Sequence, residues 1–168
     1  MARPITEEEK QYAQELLRKA RAAQQSIADY DQETIDRAIR AIGWATGNEK
    51  TFTRLARMGV EESGLGSWQG RPGKRFKIMG ILRDALRQKS MGIIEEIPEK
   101  GLVKYAKPVG VIASLVPTTN PALTPPGIGI YALKCKNAVI FSVTDFGIVE
   151  DVTTFIPILI EKYQERFL

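Results

Sequence analysis

The run Lys107–Ser142 constrains the fold more than any other part of the chain, because it reads as strand, polar turn, helix and strand in quick succession. Val109–Val116 is a nearly unbroken apolar stretch of strand length, as expected for a parallel strand buried on both faces. It stops at Pro117-Thr118-Thr119-Asn120-Pro121, where the chain must leave the sheet. A helix over about Ile128–Lys134 and a buried strand at Ala138–Phe141 follow. Ligands of open α/β sheets collect outside the carboxyl ends of their strands, which is where the five polar-turn residues fall. Asn120 can offer a neutral amide donor there, suited to an oxygen that gains negative charge. Thr-Thr-Asn-Pro is equally a turn and helix cap, with Pro121 at the first helical position. Both readings stand on local grounds.

The preceding residues are helical. Thr6 and Glu9 form a capping-box signature, each side chain able to satisfy an orphan amide at a helix start. Tyr12, Leu16, Ala20 and Ala23 then share one stripe. A second helix is predicted from near Asp31, with Ile35, Ala38, Ile39 and Ile42 inward, ending at Gly47-Asn48. A third covers about Lys50 to Glu62, with Phe52, Leu55, Ala56 and Val60 inward, and stops at Gly64-Leu65-Gly66. A fourth runs from about Gly73 to Lys89, with Phe76, Met79, Ile81, Leu82, Ala85 and Leu86 as its apolar side. Gly92–Ile97 and Leu102–Tyr105 read as short strands around the turn Pro98–Gly101. Past Ser142, Val149 to Lys162 has the spacing of an amphipathic helix interrupted by Pro157, and is expected to cover the open sheet edge.

Composition narrows the function classes. Charged residues are 26% and hydrophobic ones 43% of the chain, near globular averages, so bulk disorder is not expected. One cysteine precludes an intramolecular disulfide, and Met1-Ala2-Arg3-Pro4 leads into an acidic helix start rather than an apolar leader; a cytoplasmic protein is expected. No apolar run approaches the roughly 20 residues that span a bilayer, so no membrane partner is expected. With no histidine and no clustered acidic loop, no metal is expected either. The net charge of +4 centres on Arg71-Pro72-Gly73-Lys74-Arg75-Phe76-Lys77. That run reads as a solvated helix start, with a CoA phosphate as the other candidate. Its aromatics are not interleaved as in a stacking platform, so nucleic acid is not expected. Cys135 sits at a helix end with no histidine to act as base and is read as a structural thiol. Adjacent carboxylates such as Glu61-Glu62 and Glu95-Glu96 point apart on helix or strand and make no dyad.

Several motifs occur in a fixed order: Val60-Glu61-Glu62-Ser63-Gly64-Leu65-Gly66, Gly92-Ile93-Ile94-Glu95-Glu96, Pro108-Val109-Gly110-Val111-Ile112, Val116-Pro117-Thr118-Thr119-Asn120-Pro121, and Ala132-Leu133-Lys134 with Asn137–Ser142. In that order, over about residues 10–142, the chain resembles the start of the aldehyde dehydrogenase superfamily, in its CoA-acylating branch. The resemblance implies an α/β fold: N-terminal helices over 1–90, a β-hairpin extension of the oligomerisation type over 91–106, and the first strands of a Rossmann-like parallel sheet over 107–142, followed by an unrelated helical tail over 143–168. The sheet would be incomplete. The resemblance also implies NAD or NADP as cofactor and CoA as co-substrate, with an aldehyde oxidised to its acyl-CoA. Asn120 would be the catalytic residue stabilising the oxyanion of a thiohemiacetal. The stretch Leu115, Val116, Pro117, Thr118, Thr119 and Asn120 would approach the nicotinamide half of the dinucleotide. The pattern departs from the family after Ser142: Val143-Thr144-Asp145 stands where a Pro-His-Pro-type turn is expected, and the region carrying the catalytic cysteine is missing. The chain is therefore expected to be a truncated member inactive alone. The alternative is a non-catalytic module that associates with a fuller relative, or with itself, through the hairpin. The Gly-x-Gly-x-x-Gly fingerprint of ordinary dinucleotide folds is absent, and Gly127 and Gly129 serve either helix packing or a close ligand approach.

Overall fold

A computed structural model of the protein describes residues 6–143, and the helical tail expected further on lies outside the described residues. Helix α1 (Glu7–Ser26) begins at the capping box: the Glu9 N–H donates to Thr6 Oγ1 at 3.2 Å, and the Thr6 N–H donates to Glu9 Oε2 at 2.8 Å. Helix α2 (Gln32–Gly47) is capped by Asp31, whose Oδ1 accepts the Thr34 N–H at 2.8 Å. Asn48 closes α2 through its own N–H to Trp44 O and opens α3 (Glu49–Ser63) by accepting the Thr51 N–H at 2.9 Å. Helix α3 stops at Gly64, whose φ of +66° is left-handed and suits a residue without Cβ. After a 3₁₀ turn at Pro72–Lys74 comes α4 (Arg75–Leu86). The strands β1 (Gly92–Ile97) and β2 (Leu102–Ala106) form an antiparallel hairpin. A separate parallel pair consists of β3 (Val111–Val116) and β4 (Ala138–Val143), in register from Val111↔Ala138 to Val116↔Val143, joined by helix α5 (Thr124–Lys134).

The core lies in the helical layer rather than between strands. Helices α2, α4 and α5 pack on one another, with α3 against α2. Ile39, Ile42, Phe52, Ala56, Ile78, Leu82, Ala85 and Ile130 form one buried cluster. A fully buried aliphatic or aromatic side chain stabilises by about 1.5–3 kcal/mol, so this cluster dominates the described part.

The apolar stripes of α1 and α4 need correction. Tyr12 is 67% and Phe76 63% exposed; Ala23 and Met79 are also exposed, whereas Ile78 is completely buried. On α4, apolar residues occur on both sides, and contact with α2 and α5 selects the Ile78–Leu82–Ala85 side. Phe76 instead lies under the Arg75 guanidinium, 4.2 Å from its ring centre. Strand β3 also starts two residues later than expected. The N–H groups of Val109 and Gly110 both donate to Asn137 Oδ1, at 2.7 and 2.9 Å, and Gly110 takes φ +104°, which interrupts extended pairing. Nor is the strand covered on both faces among the described residues: Ser114 and Val116 are buried, while Ala113 and Leu115 are exposed.

Candidate active site at the end of strand β3

Strand β3 ends at Val116 and the chain turns at once, with the Asn120 N–H donating to Pro117 O at 3.0 Å. Asn120 is not the cap of α5. The helix begins four residues later at Thr124, its N-cap is Leu123 without a side-chain bond, and Pro125-Pro126 occupy its first turn, where missing amides cost nothing. Asn120 contributes only its backbone carbonyl, which accepts from the N–H groups of Leu123 and Thr124 at 3.3 and 3.0 Å. Its side chain is therefore free of capping duty.

The Asn120 carboxamide lies half-buried in a recess of about 250 Å³, counting the part open to solvent. Phe52, Leu55 and Ala56 of α3 and Ala122 and Leu123 provide apolar walls, and Arg71, Lys74, Thr119 and Asn120 bring the polar atoms. Asn120 Oδ1 accepts from Lys74 Nζ at 2.7 Å, and Nδ2 donates to Thr119 Oγ1 at 3.4 Å. The recess carries two cations and no carboxylate among its lining residues. The arrangement can present an amide N–H to a carbonyl oxygen in a positive surrounding.

Of the residues expected to meet a cofactor, Leu115 is 70% exposed, Pro117 and Thr119 are exposed, Thr118 and Asn120 are half-buried, and Val116 is buried. The chain thus brings Leu115–Asn120 together as one strand end. Gly127 allows close contact between α5 and α4, where a Cβ would meet Ile81 Cδ1 at 3.0 Å.

Lys74 was hidden in the sequence inside a basic run read as solvated. The structure engages most of that run: Arg71 Nη2 donates to Leu65 O at 2.7 Å, Arg75 reaches Glu49 at 3.4 Å, and Lys74 reaches Asn120. The one available signal was the position of Lys74 just before a helix start.

Cys135 is exposed at the far end of α5, roughly 16 Å from the start of that 11-residue helix at 1.5 Å per residue. The lysines beside it are engaged elsewhere, Lys134 with Asp36 and Lys136 with the Ala28 carbonyl. Among the described residues, no group of three or more His, Cys, Asp or Glu is placed to hold a metal ion. No helix of the described residues is long and apolar enough to cross a membrane.

No protein-family model matches the chain. Over 127 residues, 75% of this chain, it is 47% identical to a sulfoacetaldehyde dehydrogenase of an Acholeplasma species, of which it covers 26%. The crystal structure of an acetylating aldehyde dehydrogenase from Geobacillus thermoglucosidasius superposes with a TM-score of 0.79 and 29% identity, over 93% of this chain and 34% of that one. Two further neighbours have a TM-score of 0.63: Rhodopseudomonas palustris propionaldehyde dehydrogenase with bound CoA, 25% identical, and an engineered glycolyl-CoA reductase with bound NADP+, 26% identical. Each aligns with 87% of this chain and 32% of its own length. The chain spans about a quarter of the length of the curated relative and a third of the solved structures.

Proposed function

Because the matched three-quarters of the chain belongs to the acylating aldehyde dehydrogenase family, we propose that it supplies the oxyanion-binding asparagine and half of the dinucleotide cleft of such an enzyme. The observation that carries this reading is the Asn120 carboxamide, held in a recess at the carboxyl end of β3 and not used to cap the helix. In this reading the described part of 1–90 would be the helical support, 91–106 the hairpin extension and 107–142 the partial dinucleotide-binding segment. The family reaction takes an aldehyde, CoA and NAD or NADP to an acyl-CoA and reduced dinucleotide. The dinucleotide supplies the hydride acceptor. Asn120 Nδ2 donates to the aldehyde oxygen as it gains charge, a contribution of about 2.7–4 kcal/mol for one such donor. The backbone of Leu115–Thr119 would hold the nicotinamide half of that dinucleotide.

A thiol nucleophile must come from outside this sequence, since Cys135 is its only cysteine and sits at the opposite end of α5. Calorimetry of the 168-residue chain with NAD and NADP tests the reading. Micromolar binding, with no reduced dinucleotide formed from aldehyde and CoA, is expected. Absence of heat up to millimolar dinucleotide overturns the cleft assignment, and turnover overturns the partial one.

A second reading is favoured by the exposed apolar residues of the hairpin, Ile93, Ile94, Leu102, Val103 and Tyr105. They suit association with a fuller relative or a second copy, which would cover this exposed apolar surface, although the register shift between Ile93 and Glu95 and the Lys104–Glu95 ion pair blunt the ribbon edge itself. Sedimentation that stays monomeric at high micromolar concentration, alone and with such a relative, removes it.

A further inference from the structure

We propose that Lys74 is a positioning residue that decides which end of the Asn120 carboxamide faces the recess opening. The proposal rests on the reading of Asn120 as an oxyanion donor and adds how that donor is aimed. The two ends of a carboxamide are nearly equal in shape, so packing alone scarcely distinguishes Oδ1 from Nδ2. An ammonium distinguishes them completely, having three donors and no acceptor. With Lys74 Nζ 2.7 Å away, the near atom must be oxygen, and the amide N–H groups are turned to the other side. There Nδ2 has only a long 3.4 Å bond to Thr119 Oγ1, so its hydrogens remain available to an incoming carbonyl.

The lysine does more than orient. A cation at Oδ1 draws electron density from nitrogen through the amide resonance, which stiffens the C–N bond and strengthens its N–H groups as donors. Nor does the lysine ride on the loop it directs. It closes the 3₁₀ turn Pro72–Lys74, where its N–H donates to Arg71 O at 2.9 Å and the Arg71 guanidinium is tied to Leu65 O. The aim of Asn120 is therefore set from the α3–α4 connection, 46 residues away in sequence.

The chain has three asparagines and eight glutamines, so its side-chain amide spectrum holds few enough NH₂ pairs to assign, and the asparagines can be labelled selectively. The test is ¹⁵N NMR of the full chain, reading the Asn120 NH₂ pair and its rotation about the C–N bond. In Lys74→Met the Asn120 pair is expected to move toward the position of a solvated amide, with rotation several-fold faster. The Asn48 and Asn137 pairs, whose oxygens accept from Thr51 and from Val109 and Gly110, stay in place as controls of the fold. Lys74→Arg, also a donor-only cation, keeps the slow rotation. An Asn120 signal unchanged in Lys74→Met, or an arginine variant that behaves like methionine, overturns the proposal. Should the methionine variant not fold, the unsubstituted chain decides: Asn120 rotation no slower than in urea-denatured protein also overturns it. Dinucleotide calorimetry does not depend on which way this amide points, so the two proposals fail separately.

Discussion

Replacing Asp36 by alanine removes one half of an ion pair whose other half has nowhere else to go. Lys134 Nζ lies 2.5 Å from Asp36 Oδ1; the lysine side chain is 3% exposed and the aspartate 16%. The pair joins α2 to α5, 98 residues apart in sequence, on the helix that follows the candidate site. Stripping the partner from a buried cation costs about 3–5 kcal/mol, mostly the penalty of a desolvated charge left alone. The reverse change, Lys134→Met, leaves a carboxylate that reaches water and still accepts from Gln32 Nε2 at 3.0 Å. Its cost is about 1–2 kcal/mol, that of a weakened polar contact. The double variant leaves no uncompensated charge and comes out more stable than Asp36→Ala by itself. Urea unfolding followed by circular dichroism reads this: at a slope of about 1–3 kcal/mol per molar, Asp36→Ala lowers the midpoint by at least about 1 M. A single-variant loss below about 1 kcal/mol, or additivity in the double variant, would refute the claim that the charge is buried and held only by its partner.

Asn137→Ala removes the acceptor shared by the Val109 and Gly110 N–H groups and is expected to cost about 1–3 kcal/mol, the penalty of orphaning the half-buried Gly110 donor, because the N–H of exposed Val109 can turn to water. Faster hydrogen exchange confined first to residues 109–112 is its signature; uniform exchange would argue against it. Asp31 carries a pH dependence. The Thr34 backbone N–H holds its carboxyl below the usual carboxylate range. A depressed folded-state value stabilises above the ordinary aspartate range, and that contribution is lost as pH falls through the lowered value. Asp31→Asn keeps the cap but not the titration, so its stability curve should be flatter on the acid side; identical acid limbs would contradict the assignment.

What could be read in the sequence was what is local in the chain. The capping box of Thr6 and Glu9, the Asp31 cap and Asn48 each use partners three or four residues away, so the residue types alone announce them. The helices, hairpin and strand–turn–helix order follow for the same reason. What the sequence misplaced depends on distant partners. The start of β3 is set by Asn137, and the buried side of α4 by contacts with α2 and α5, which is why Phe76 looked internal and Ile78 did not. Asn120 looked like a cap because Asn-Pro is a good one. Pro121 is buried, and Ala122 and Leu123 pack against the core, which delays the helix until Thr124.

The same distances explain why the site belongs to the helical layer as much as to the sheet. A two-stranded pair is marginal in water, and among the described residues β3 is open on the face that carries Ala113 and Leu115. Three polar contacts fix its surroundings from outside. Asn137 begins the strand, Asp36 of α2 anchors the far end of α5 through Lys134, and Lys74 at the start of α4 turns the amide that closes the strand. Two of the three reach back into the first four helices. Those helices form no part of a dinucleotide fold in themselves, yet they set where α5 lies and which atom of Asn120 is presented. A reaction needing one N–H held to within about 0.5 Å of its productive geometry could not rely on the short turn 117–120 alone to hold it. The rigid element is α4, and the amide is aimed by the cation at its start.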